Sequence, residues 1–120
     1  MSSYETTCTL PVSVAAVVPA GALAAIAVGK GVREQLPASL VCKGSWLRVF
    51  GNPVTLRLRV AGTDGAAMVQ ISGSNFGFGP INTGVCRNEV EAFRDQLLAI
   101  LGQPPAGADS QAPNPVTPEA

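Results

Sequence analysis

The chain has 120 residues and a mass of 12.2 kDa, enough for one domain, since a second core would leave neither half much above the ~50-residue lower limit. Its apolar fraction is 47% and its charged fraction 13%, against a usual charged share of about 25%, which excludes wholesale disorder and a charged helical rod. Eight Lys and Arg balance eight Asp and Glu and there is no His, so no global field draws nucleic acid or anionic lipid, and no imidazole can serve a triad, a metal or a pH switch.

Tyr4 to Leu10 is rich in β-formers and stops at Pro11, which predicts a first strand. Leu10 to Gly29 follows as 20 residues without a charge. That is long enough to span a bilayer, but seven of the 20 are Ala and only eight are large aliphatics, thin for a membrane span. The leading MSSYETTCT lacks the Lys or Arg of a signal peptide and carries Glu5. The run is therefore expected to be a buried helix, with Ser13 as its N-cap. Pro19 leaves two options: it kinks a helix begun at Ser13, or it opens a helix that begins there. Gly29 and Gly31 should end the helix, with Lys30 at the negative end of its dipole.

Val32 to Lys43 is weakly patterned. A short strand is expected after Pro37, where Leu40 and Cys42 alternate with Ser39, Val41 and Lys43. Trp46 to Phe50 predicts another, interrupted at Gly51-Asn52-Pro53. The clearest alternation follows: Val54, Leu56, Leu58 and Val60 share one face, and Arg57 and Arg59 the other. After the turn at Gly62-Thr63-Asp64-Gly65, Ala67, Val69 and Ile71 alternate with Met68, Gln70 and Ser72, completing an antiparallel hairpin. A glycine-rich bridge spans residues 73–80. Beyond it Val90, Phe93, Leu97 and Ile100/Leu101 recur at helical spacing, with Glu89, Glu91, Arg94 and Asp95 on the polar face and Glu91–Arg94 as a favourable pair. Gly102 and Pro104-Pro105 stop that helix.

The expected order is β-α-β-β-β-β-α. Strands clustered between two helices give an α+β fold, an antiparallel sheet of four to five strands with both helices on one face. Residues 1–102 form the single domain, with a net charge of +2. In residues 103–120 five of 18 are Pro and the one large aliphatic is Val116, so a disordered proline-rich tail is expected. Cys8, Cys42 and Cys86 are odd in number, and none stand at C-x-x-C spacing. They read as reduced, core-filling thiols of a cytoplasmic protein rather than a disulfide set or a metal site.

Gly44-Ser45-Trp46, the alternating strand Thr-Leu-Arg-Leu-Arg-Val, a second strand, a Gly/Pro bridge and a closing helix resemble small bacterial domains of helix-and-antiparallel-sheet type. The order is also similar to a shortened START-like, or helix-grip, fold. The resemblance covers roughly residues 4–101 and brings no catalytic residue with it. The chain is shorter than START-like domains and lacks their extra strands. Its Ala, Gly, Pro, Val and Arg usage is that of a GC-rich, actinobacterial-type genome.

The chemistry is sparse. The loop from Gly73 to Pro80 has neither the Gly-Lys-Ser/Thr ending of a P-loop nor G-x-G-x-x-G spacing, so it reads as a structural connection. The carboxylates are scattered, and no Ser has a base at Ser-x-x-Lys spacing. An enzyme is not expected, nor a metal or cofactor. Two binding features stand out. Arg48, Arg57 and Arg59 would form a basic stripe on the open sheet face, either a solvated surface or a seat for a carboxylate or phosphate. An apolar cleft between helices and sheet would be walled by Leu56, Leu58, Val69 and Ile71, with Trp46, Phe76 and Phe78 as its aromatic candidates. The alanines of the first helix either leave room for that cleft or permit close packing that fills it. The expected function is binding of a small apolar or amphipathic ligand. The alternative is an interaction domain that pairs a sheet edge with a copy of itself or with a partner; nucleic acid is not expected, nor is membrane association through residues 10–29.

Overall fold

The computed structural model describes residues 2–44, 54–75 and 79–104. Within them the elements run β1 (Ser2–Leu10), α1 (Val14–Ala27), β2 (Lys30–Leu36), β3 (Ser39–Gly44), β4 (Thr55–Thr63), β5 (Ala66–Asn75) and α2 (Pro80–Ile100). The five strands form one antiparallel sheet in the order β1-β5-β4-β3-β2, so the first strand crosses over to lie beside the last. This is the α+β architecture and the β-α-β-β-β-β-α order that the patterning predicts. One strand differs in identity. The sequence reading has no strand between the first helix and Pro37, yet β2 lies there. It escapes a period-2 reading because a bulge between Val32 and Glu34 slips the alternation by one residue. The strand expected at Trp46 to Phe50 lies outside the described residues.

The helix α1 begins at Val14, and the Ser13 side chain accepts a hydrogen bond from the Ala15 amide at 3.3 Å. Pro19 therefore sits inside the helix. The bond it removes would have gone to the Ala15 carbonyl, and both residues are exposed, so water can satisfy that oxygen. The helix ends at Val28, after which Gly29 takes a positive φ of 78° and its amide donates to the Ile26 carbonyl at 3.0 Å. Gly31 lies in β2 and plays no part in that stop. Lys30 is not at the helix dipole but opens β2, buried, with Nζ 2.6 Å from Glu89 Oε1 of α2. Among the described residues, no helix is long and apolar enough to cross a membrane.

Both helices cover the same sheet face. α2 packs over β1 and β5, α1 packs over β2, β3, β4 and β5, and the two helices touch each other. Val17, Val18, Ala24 and Ala25 of α1 and Val90, Phe93, Leu97 and Leu98 of α2, each no more than 2% exposed, meet the inward residues of the strands. Two glycines set how closely the layers approach. A Cβ on Gly21 would lie 2.6 Å from Leu58 Cδ2, and one on Gly73 would lie 2.7 Å from Val90 Cγ2. On the outer side of α2, Arg87 pairs with Glu91 at 3.4 Å and Arg94 with Asp95 at 3.7 Å, in place of the expected Glu91–Arg94 pair.

Candidate functional site

The sheet face turned away from the helices carries the side chains that alternate with the core. Arg59 stands opposite Ser39 on one side and Gln70 on the other, and Gln70 stands opposite Thr7 of β1. Arg57 stands opposite Val41 and Ser72, and Ser72 opposite Glu5. Arg57 and Arg59 are two positions apart on β4, so they project on the same side, roughly 7 Å apart along the strand.

The β2–β3 turn, Pro37-Ala38, shapes this face. The Val60 amide donates to the Ala38 carbonyl at 2.9 Å, which ties the turn to β4. A predominantly apolar cleft of about 530 Å³ opens beside it, lined by residues 36–39 of the hairpin, Arg59, Val60 and Ala61 of β4, and Met68 and Gln70 of β5. Leu36 and Met68 are each 50% exposed there. A smaller polar cleft of about 180 Å³ adjoins it, lined by Glu5, Arg57, Arg59, Gln70 and Ser72. Arg59 and Gln70 belong to both. Inside the polar cleft the Gln70 side-chain amide donates to the Glu5 carboxylate. A further concavity of about 530 Å³ lies on the other side of the same turn, between it and Ala15, Val18 and Pro19 of α1.

The residues singled out from the sequence are placed differently from one another. Arg57 and Arg59 come together on the open face as the alternation requires. Leu56, Leu58, Val69 and Ile71 lie on the inner face, each no more than 1% exposed, and they line none of the three clefts. Above them the glycine contacts bring the helices down onto the sheet. Trp46, Arg48, Phe76 and Phe78 lie outside the described residues. The sequence reading missed Leu36, Pro37 and Met68 as site residues. A signal for Met68 was present: a large apolar side chain in the outward register of Gln70 and Ser72. Leu36 carried no such signal, because its strand was not legible.

The two buried thiols, Cys42 and Cys86, are held protonated. Burial pushes the Cys42 thiol up to about 11, against a smaller opposing pull from Lys30. Burial also raises Cys86, whose Sγ lies 3.6 Å from the Ser2 carbonyl oxygen. Neither is in a disulfide. Among the described residues no cluster of His, Cys, Asp and Glu could hold a metal ion.

No protein-family model matches the sequence, and no curated protein matches it either. Solved structures do match the fold. An HSP90 activator from Plasmodium falciparum is 14% identical with a TM-score of 0.59, over 87% of this chain and 99% of that one. A protein of the dynemicin biosynthetic locus gives the same identity and TM-score over 87% of this chain, which spans about half, 49%, of that protein. Ara h 8.0201 is 15% identical with a TM-score of 0.43, over 84% of this chain and 98% of that one. The arrangement this chain shares with the first two is of helix-grip type, an antiparallel sheet folded against a long C-terminal helix.

Proposed function

We propose that the chain is a non-enzymatic binding module for a small apolar or amphipathic ligand, seated in the cleft beside the Pro37-Ala38 turn. One observation carries this: an apolar cleft of about 530 Å³ on an otherwise polar sheet face, within the roughly 300–1,000 Å³ of small-molecule sites. Leu36, Ala61 and Met68 supply the apolar wall, and Arg59 and Gln70 the polar rim. The inner-face residues Leu56, Leu58, Val69 and Ile71 act here as the support of the sheet. The non-enzymatic reading rests on the scattered carboxylates and on burial that keeps the Cys42 and Cys86 thiols protonated. We place the protein in the reducing cytoplasm on its cysteine usage.

Displacement of a neutral environment-sensitive dye such as Nile red tests the reading. Decanol should displace the dye from the native protein, and Met68→Trp, which fills the cleft, should abolish displacement while leaving the thermal midpoint nearly unchanged. Leu58→Ala should lower the midpoint and spare displacement at temperatures where it stays folded. No displacement from the native protein, or equal displacement from Met68→Trp, would overturn the assignment.

A second reading, pairing with another copy of the chain, is favoured by β1. Among the described residues this nine-residue strand bonds to β5 on one side only, and it carries one charge, Glu5. The opposite edge, β2, is blunted by its bulge and by Arg33 and Glu34. Light scattering after size exclusion should then show a dimer that Thr7→Pro, which removes an edge donor, converts to monomer. A native chain that stays monomeric at high concentration excludes this reading.

A further inference from the structure

The apolar and polar clefts of the outer sheet face are two compartments of one groove, because Arg59 and Gln70 line both. The apolar compartment is the larger, about 530 Å³ against 180 Å³. We infer that the groove takes an amphiphile with a single carboxylate head, its chain along Leu36, Ala61 and Met68 and its head between Arg57 and Arg59. The inference rests on the apolar cleft being a ligand site, and it adds the chemistry of the head group.

Three features lead to it. Arg57 and Arg59 project side by side from one strand, and guanidinium forks fit a carboxylate through paired N–H donors. The compartment already contains one carboxylate, that of Glu5, held by the Gln70 amide. Two arginines and one glutamate leave one positive charge, which matches a monovalent head and disfavours a dianionic phosphate. Gln70 lies at the boundary between the compartments, so its amide can turn from Glu5 to a head group entering from the apolar side. Glu5 therefore acts against the ligand's charge and sets how tightly the head is held. A cationic head has a single acid to meet and two arginines to repel it.

The test compares ligands of one chain length and different heads, decanoate, decanol and decylamine, on the full-length protein, by Nile red displacement below their aggregation concentrations. Decanoate should bind about fivefold more tightly than decanol, the scale of one exposed ion pair, and decylamine most weakly. Arg57→Gln, which lies outside the apolar cleft, should bring decanoate towards decanol and leave decanol unchanged, and Arg59→Gln should lower the ratio of decanoate to decanol affinity. Glu5→Gln should act in the opposite direction and tighten decanoate. Added salt should weaken decanoate alone. All three side chains are exposed, so thermal midpoints near the native value will show that each variant is folded. Equal binding of decanoate and decanol, both lost in Met68→Trp, would overturn the head-group inference and leave the apolar site standing. Preference for decylamine would overturn it as well. No binding of any of the three would remove the apolar site and this inference together.

Discussion

Gly73 shows how one residue fixes the distance between layers. A Cβ there would meet Val90 Cγ2 at 2.7 Å, Val54 Cγ1 at 3.1 Å and Leu56 Cδ2 at 3.2 Å. Val90 and Val54 are β-branched and have little rotamer freedom with which to yield. Gly73→Ala should therefore cost on the order of 1–3 kcal/mol through overpacking. Gly84 is the control: it lies in α2 with nothing within 4 Å of its would-be Cβ. Gly84→Ala should stabilise the protein by up to about 1 kcal/mol from helix propensity alone. Urea melts of the two variants should move in opposite directions. Cys42 makes a second prediction at this scale. Its folded thiol ionises only near 11, from an ordinary value of 9.0, because burial disfavours the thiolate. Between those values the native state holds a proton that the unfolded chain has released, so stability falls as pH rises through the window. This contribution should be fully present below pH 9 and lost above about pH 11. A Cys42→Ala variant should lose less stability than the native chain between those limits. Equal slopes for the two would show that the thiol is not the group responsible.

At the scale of elements, α1 and the β4–β5 hairpin are joined through polar groups. Asp64 in the hairpin turn accepts from the Ser13 hydroxyl at 3.2 Å and from the Val14 amide at 3.1 Å. The Gly65 amide donates to the Val12 carbonyl at 3.0 Å. Asp64 thus serves as a second cap for α1, from fifty positions away, and a carboxylate suits the positive end of the helix dipole. Asp64→Ala should cost about 1 kcal/mol, within the range of 0.5–2 kcal/mol for a lost cap, and Asp64→Asn should recover part of it. The denaturant midpoint should drop without a change in slope. A midpoint unmoved in Asp64→Ala would show that Ser13 caps the helix unaided.

For the molecule as a whole, we propose that the folded unit ends at Gly102 and that residues 103–120 are dispensable for folding. The helix α2 closes with Gly102 at a φ of 72°, its amide donating to Ala99 at 3.1 Å and that of Gln103 to Leu98 at 2.8 Å. Those two bonds complete the helix end, and truncation after Gln103 retains both. The truncated chain should differ from the full one by less than roughly 0.5 kcal/mol. Leu97 is fully buried, and Leu97→Ala should cost on the order of 2–5 kcal/mol. Thermal melts of the three proteins check both expectations. A truncated chain that melts far below the full one would place the boundary further along the sequence.

The sequence by itself determined the elements whose side chains report their environment residue by residue. Alternation in β4 and β5 assigned an inner and an outer face to each strand, and placed Arg57 and Arg59 on the open one. Helical spacing marked Val90, Phe93 and Leu97 as core, and Ser13 announced the start of α1. These signals are local, so they survive in one dimension. Tertiary structure decided the rest. β2 became a strand by pairing with β3, and its bulge had erased the period that would have shown it. Lys30 and Glu89 look like a helix-end cation and a surface acid until the fold brings them within 2.6 Å, 59 positions apart. The apolar cleft unites β2, β3, β4 and β5 around a turn tied down by one backbone bond. No window of sequence contains it, because its walls become neighbours only when the sheet has formed.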